Sequence, residues 1–267
     1  MKRLVVGDIH GCYSKLRDVL DRAGFQPDED ILYSLGDLCD RGKQNKEVLD
    51  YLVSLPHFEG VFGNHDIWVK SYIEALLDEG YMNQAASRCW RGNGGESTIN
   101  DLSECSKDTL RRYLDLLRKL RYRIELDNCM LQHNPIPNRW LSDRASSVNI
   151  DEITLGNYRN KQFNIDEVYD EELWERFITR IFHYPKSSEA QEYAGENKKL
   201  ILCGHTPVID TLELKLFNII DIDTGAFIGE TFPSYYYGWL EDGRLTAVNL
   251  DSGEAYQSGT TSPQTLW

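Results

Sequence analysis

An α/β fold follows from three observations in the first third of the chain. Short apolar segments recur, each closes on a Gly-Asp or Gly-Asn turn, and each is followed by residues with helical apolar spacing. Three such strand–loop–helix units in succession are the pattern of a sheet with crossover helices. Residues 3–6 read as a buried strand ending at Gly7-Asp8, and 13–23 as a helix with Leu16, Val19 and Leu20 on one face, stopped by Gly24. Residues 30–35 are the second strand, ending at Gly36-Asp37, and 46–55 the second helix, with Val48, Leu49, Leu52, Val53 and Leu55 as its apolar stripe. Residues 59–62 are the third strand, delivering Gly63-Asn64-His65-Asp66 as a loop before a helix over 67–79. In such sheets functional groups gather beyond the carboxyl ends of the strands. Asp8, His10, Asp37 and Asn64 are therefore expected on one rim.

The rest of the chain is less regular. Residues 82–119 read as mainly helical, with a Gly-rich interruption at 91–97. Residues 122–126 and 129–132 form a hairpin across Asp127-Asn128, and its second strand delivers His133. The stretch 139–164 is polar and irregular, with a helix expected over 170–182. A strand over 199–203 ends at Gly204-His205, and Asp242-Gly243 signals a hairpin between 237–240 and 245–250. Without a linker, repeat or low-complexity tract, residues 1–267 are expected to form one domain, with a variable excursion at 139–197.

Composition narrows the classes of function. Apolar residues make up 41% and charged residues 27%, ordinary for a globular protein. The net charge of −14 argues against non-specific nucleic-acid binding, which requires basic surface. No apolar run approaches the roughly 18 residues needed to span a bilayer. Met1-Lys2-Arg3 is followed by too short an apolar run for a signal peptide, so no membrane partner and a cytoplasmic location are expected. The six cysteines form no C-x-x-C pair, and no disulfide framework is expected.

The chemistry concentrates in the turns. Asp8 and His10, two residues apart in extended backbone, point to one side and can reach one cation. The loop Gly36-Asp37-Leu38-Cys39-Asp40-Arg41-Gly42 adds two carboxylates and a guanidinium, and Asn64 and His65 add an amide oxygen and an imidazole. His133 and His205 each follow a strand. Carboxylate, amide oxygen and imidazole without thiolate suit Mn²⁺, Fe or Zn²⁺ better than Mg²⁺. His57 and His183 lie outside these blocks and read as structural, while Trp90 and the 235–237 tyrosine run read as packing.

Taken together, Gly-Asp-Ile-His-Gly, Gly-Asp-Leu-Cys-Asp-Arg-Gly, Gly-Asn-His-Asp and Gly-His-Thr-Pro resemble, in order, the motif blocks of the phosphoprotein phosphatase family of metallophosphoesterases. The segments 90–95, 223–226 and 244–247 resemble its bacterial and phage-type branch. The resemblance implies a four-layer, calcineurin-like fold: a central β-sandwich of mixed sheets flanked by helices. It implies two divalent cations, most naturally manganese with iron or zinc as alternatives, with Asp8 and His10 on the first, Asp37 bridging, and Asn64, His133 and His205 on the second. A hydroxide shared by the cations would attack phosphorus in line. His65 would protonate the leaving alkoxide, oriented by Asp40. Arg41 and Asn64 would hold phosphate oxygens, with a second arginine expected at Arg176 in Leu173-Trp174-Glu175-Arg176. Two departures stand out: Asn134-Pro135 replaces the Ala-Gly that relatives carry after the His133 position, and Asp66 replaces the glutamate of eukaryotic members.

The function implied is hydrolysis of phosphoserine or phosphothreonine in proteins, or of small phosphoesters. A symmetrical diadenosine tetraphosphate hydrolase shares the same blocks and is the main alternative. Nucleases and cyclic-nucleotide diesterases commonly end in Gly-His-x-His, whereas here a single late histidine precedes Thr206. A non-catalytic binding module would have lost ligands, and all six are present.

Overall fold

The computed structural model describes residues 1–78, 80, 82–135, 150, 199–229 and 242–267. Strands β1 (Arg3–Val6), β2 (Ile31–Ser34) and β3 (Phe58–Gly60) run parallel, joined by helices α1 (Tyr13–Arg22) and α2 (Asn45–Ser54). This is the crossover pattern expected from sequence. Helix α1 buries Leu16, Val19 and Leu20. It ends where Gly24 takes φ +61° and Phe25 donates its N–H back to Leu20 O at 3.0 Å, closing the last turn.

Helix α3 (Asn64–Leu76) begins three residues before the expected start, inside the motif. The cause is Asp66, whose carboxylate accepts the N–H of Gly63 at 2.8 Å and so caps the helix from its third position. Asn64 and His65 consequently sit in the first helical turn. Helices α4 (Gln84–Trp90), α5 (Glu96–Ser103) and α6 (Lys107–Leu117) follow. The expected Gly-rich break is a kink within Arg91–Gly95, between α4 and α5, where Gly94 leaves helical backbone at φ +99°.

Strands β4 (Arg123–Glu125) and β5 (Cys129–Gln132) form the expected antiparallel hairpin. They lead a second sheet with β6 (Leu200–Cys203), β7 (Leu212–Leu214) and β8 (Ile219–Asp221), ordered β4-β5-β6-β8-β7. The chain then returns to the first sheet as β9 (Thr246–Asn249), β10 (Glu254–Gln257) and β11 (Gln264–Thr265), giving the order β11-β10-β9-β1-β2-β3. Both sheets are mixed, as the resemblance implies. The hairpin expected at Asp242-Gly243 does not form through 245–250, because β9 has both edges taken, by β1 and β10. Its other half, 237–240, lies outside the described residues, as do the expected helix at 170–182 and, apart from Ile150, the excursion at 139–197.

Strand alternation separates the cores. In β1, Leu4 and Val6 pack toward the helices with Trp68, Tyr113 and Leu117, whereas Val5 faces the second sheet. Between the sheets Val5, Val61 and Val248 of one meet Leu131, Leu202 and Ile220 of the other. Each such side chain taken out of water contributes about 1.5–3 kcal/mol. With both faces covered, β1 reads as a continuous apolar run. The sandwich also aims the carboxyl ends of β1, β2 and β3 and of β5, β6 and β8 at one another. The loops after all six converge.

Candidate metal centre

The first two loops are zipped together by backbone bonds. His10 N–H donates to Asp37 O at 2.8 Å, Gly11 N–H to Leu38 O at 3.0 Å and Gly42 N–H to His10 O at 2.9 Å. Asp66 fastens the third loop to the second by accepting the N–H groups of Asp37 at 2.8 Å and Leu38 at 3.0 Å. The folding of these loops is costly. Seven described non-glycine residues have left-handed backbone, and His10, Asp37, Asp40, Arg41 and His205 are five of them. Each such residue costs of order 1–3 kcal/mol and persists only where its surroundings over-determine it.

Asp8, His10, Asp37, Asn64, His65, His133 and His205 come together in one buried cluster, none more than 6% exposed. The ligating atoms of Asp37, His133 and His205 lie within 4.8 Å of one another, as do those of His10, Asp37 and His65. Asp37 belongs to both groups. Asp8 approaches from the far side, its Oδ1 3.9 Å from His133 Nδ1 and its Oδ2 accepting the His205 N–H at 3.1 Å.

The donor set fits divalent cations. His10 Nδ1 donates to Cys39 O at 3.0 Å and His133 Nδ1 to Leu35 O at 2.7 Å, so each presents the lone pair of Nε2 to the cluster. His133 Nε2 thereby faces Asn64 Oδ1 at 3.1 Å, acceptor against acceptor, an arrangement that calls for positive charge between them. Asp8 Oδ1 is buried without a hydrogen-bond partner. Space is kept by glycine: a Cβ on Gly63 would meet Asp37 Oδ1 and His133 Cε1, and one on Gly204 would meet Asp8 Oδ1.

Charge balance points the same way. Burial, then the nearby Asp223, Asp37 and Asp221, pushes Asp8 well above the usual carboxylate range, and burial raises Asp223 to about 6. Burial also lowers His133 to about 4 and holds His10 well below its ordinary value, with Arg41 adding to the effect. The imidazoles are held toward their neutral form, and the guanidinium of Arg41, which lowers Asp223, still leaves it raised to about 6. Two or more buried acids with no matching cation are costly unless a metal neutralises them.

Beside this cluster, His65 Nδ1 lies 2.6 Å from Asp40 Oδ2, and its Nε2 receives Arg41 Nη2 at 3.0 Å. Arg41 Nη1 reaches His10 Nε2 at 2.7 Å. Asp40 is itself held by two donors, the Trp90 indole N–H at 2.6 Å and the Thr98 hydroxyl at 2.5 Å. Trp90 is therefore more than the packing residue its sequence context suggests. Thr98 is a further member that the motif reading passed over, while Asp66 and Asp223 stand in its motifs without a role. The signal for Asp66 is its place as a helix-capping acid three residues after Gly63; for Thr98 no local pattern exists, since its partner is 58 residues away. Arg176 lies outside the described residues.

Two mixed sheets meeting at a cluster of carboxylate, amide and imidazole donors form the arrangement of a metal-dependent phosphoesterase. The calcineurin-like phosphoesterase family model matches residues 1–209, and the chain belongs to that family. Its resemblance to the phosphoprotein phosphatases within it holds as well. Serine/threonine-protein phosphatase 2 of Salmonella typhimurium is 45% identical over 91 residues, 34% of this chain and 37% of that relative. The symmetrical bis(5'-nucleosyl)-tetraphosphatase of Pseudomonas fluorescens is 25% identical over 98% of this chain and 96% of its own length. Among solved structures, a protein serine/threonine phosphatase from Saccharomyces cerevisiae with similarity to human phosphatase PP5 shares the fold, with a TM-score of 0.52 at 13% identity over 98% of this chain and 81% of the other.

Proposed function

We propose that this chain hydrolyses phosphate monoesters of serine and threonine in proteins. Asp8, His10, Asp37, Asn64, His133 and His205 hold two divalent cations, manganese foremost. Bound there, the cations supply Lewis-acid stabilisation of phosphoryl charge and activation of water near neutral pH. Arg41 grips phosphate oxygens with its fork of N–H donors, assisted by the Asn64 amide. His65 gives a proton from Nε2 to the departing alkoxide, and Asp40, bonded at Nδ1, fixes the ring and stabilises its cationic form.

The observation that carries this reading is the buried Asp40–His65 pair, Oδ2 to Nδ1 2.6 Å, with Nε2 turned to Arg41 Nη2 at 3.0 Å, the contact that the leaving oxygen of a phosphate gripped by Arg41 would replace. A serine or threonine alkoxide is a poor leaving group and needs a proton. A nucleoside diphosphate leaves readily without one. An acid held this firmly is suited to the former.

Hydrolysis of dinucleoside polyphosphates is the second reading, favoured by the full-length similarity to the Pseudomonas fluorescens tetraphosphatase. Manganese-loaded protein separates the two through kcat/KM on phosphoserine peptides and on diadenosine tetraphosphate. The peptide is expected to be preferred. A preference for the dinucleotide by orders of magnitude overturns the first reading in favour of the second.

A further inference from the structure

We propose that Phe227 is a positioning residue for Arg41, forming with the backbone at Gly94 a slot that aims the guanidinium at the substrate phosphate. The proposal rests on the reading of Arg41 as the phosphate-gripping group.

Phe227 is fully buried, and its ring lies under the guanidinium, 4.4 Å from Arg41 Cζ to the centroid. The same ring meets the His10 imidazole edge-on, with centroids 5.0 Å apart. At the base of the side chain, Arg41 N–H donates to Gly94 O at 2.9 Å, and a Cβ at Gly94 would come within 2.7 Å of Arg41 Cγ. Arg41 thus passes through a slot with a backbone wall and an aromatic wall. Its left-handed backbone, φ +68°, fixes where the side chain starts, and the slot fixes where it ends. A long flexible side chain held in this way loses little further freedom when an anion arrives.

Phe227 is itself held in place. Ile228 N–H donates to Gly225 O at 2.9 Å and Gly243 N–H to Ile228 O at 3.1 Å, folding this loop onto the next. Lys15, on the first turn of α1, straddles both loops with its ammonium, donating to Ala226 O at 2.6 Å and Gly243 O at 2.8 Å. Lys15 lies two residues beyond the start of the helix that follows the Asp8–His10 loop, so the tether links Phe227 to the element that positions His10.

The ring's quadrupole attracts the guanidinium without offering an acceptor that would compete with phosphate. A carboxylate at this position would hold Arg41 harder and neutralise it. Phe227 orients the cation and leaves its charge available.

The test measures inhibition by inorganic phosphate, with kcat and KM on an aryl phosphate, in manganese-loaded protein. Phe227→Leu is expected to raise the phosphate Ki and KM about 5- to 30-fold, the range of a partly desolvated cation–π contact, with a smaller change in kcat. Phe227→Trp, which keeps a π-face, is expected to stay nearer the parent. Added to Arg41→Ala, Phe227→Leu should change Ki no further. Lys15→Met, at a half-buried position, should raise Ki by a smaller factor. Should Phe227→Leu fail to fold, Phe227→Met, longer, more adaptable and without a ring face, reads the same quantity. A folded Leu or Met variant with phosphate Ki within twofold of the parent overturns the proposal. Arg41→Ala with unchanged Ki instead overturns the role given to Arg41, a separate failure.

Discussion

Asp66 accepts the backbone N–H of Asp37 at 2.8 Å, so the carboxylate that caps helix α3 also sets the loop from which Asp37 reaches the cluster. A second bond, from the His65 N–H to Asp37 Oδ1 at 2.9 Å, returns the connection. The two loops are locked reciprocally, and three of the N–H groups involved converge on the one buried acid.

Asp66→Asn keeps the shape but offers one acceptor oxygen, and its amide hydrogens oppose N–H groups. It is expected to lower unfolding free energy by about 2–4 kcal/mol, the range for a disrupted buried polar network. Metal content per chain should fall with it. Denaturant unfolding and elemental analysis of the same preparation check this; an Asn variant of parental stability and metal content contradicts it.

His65→Asn is expected to reduce kcat by about 10²–10⁴-fold on alkyl phosphomonoesters, the usual contribution of a general acid. The loss should shrink with substrates whose leaving group needs no proton, such as activated aryl phosphates. Equal losses across a leaving-group series would assign His65 to something other than proton donation.

Trp90→Phe removes one hydrogen bond from Asp40 while keeping an aromatic ring. Burial raises Asp40 to about 7, and the Thr98 and Trp90 bonds pull it down by favouring the anion. Losing one of them raises it further. Since anionic Asp40 is the form that orients and supports protonated His65, the acid limb of the pH–rate profile should move to higher pH. Activity at pH 6 should drop several-fold more than at pH 8. A profile that is scaled down without moving would assign Trp90 a packing role only.

Cation binding should release protons, and release fewer as pH rises from 6 to 8. A cation favours the deprotonated form of every ligand and neighbour. Asp8 and Asp223 are raised by burial and retain protons in the metal-free protein at mildly acidic pH, whereas His133, lowered to about 4, has already lost its own. Titration calorimetry in buffers of different ionisation heat counts the protons. Release that does not vary with pH, or net uptake, would show that the carboxylates are not the source.

The residue types at the cluster were legible because each, His133 apart, falls within a few positions of a glycine turn after an apolar run. Asp8, Asp37 and Asn64 could be placed on one rim from that pattern alone, while His133 and His205 required the second sheet. Boundaries were less legible. Helix α3 starts earlier than its apolar spacing indicates because Asp66, a letter of the motif, also caps the helix. The 91–97 glycines mark a real interruption, since Gly94 takes a positive φ that no helix has and the chain kinks there between α4 and α5. The misassigned hairpin at Asp242-Gly243 has a different cause: a turn dipeptide is local information, and which strands flank β9 is decided by pairing across more than 240 residues. Nor could any local pattern reveal that Trp90 and Thr98 meet Asp40.

That distant pairing has a consequence for synthesis. β9 leaves the ribosome long after β1, so throughout elongation the N-terminal layer carries a bare hydrogen-bonding edge where β9 will later lie. His205 and Asp223 are also translated long after the first three loops. A nascent chain stalled near its middle would expose a sticky ribbon and an incomplete ligand set. For this protein, catalytic competence and protection from self-association arrive together, with the last strands made.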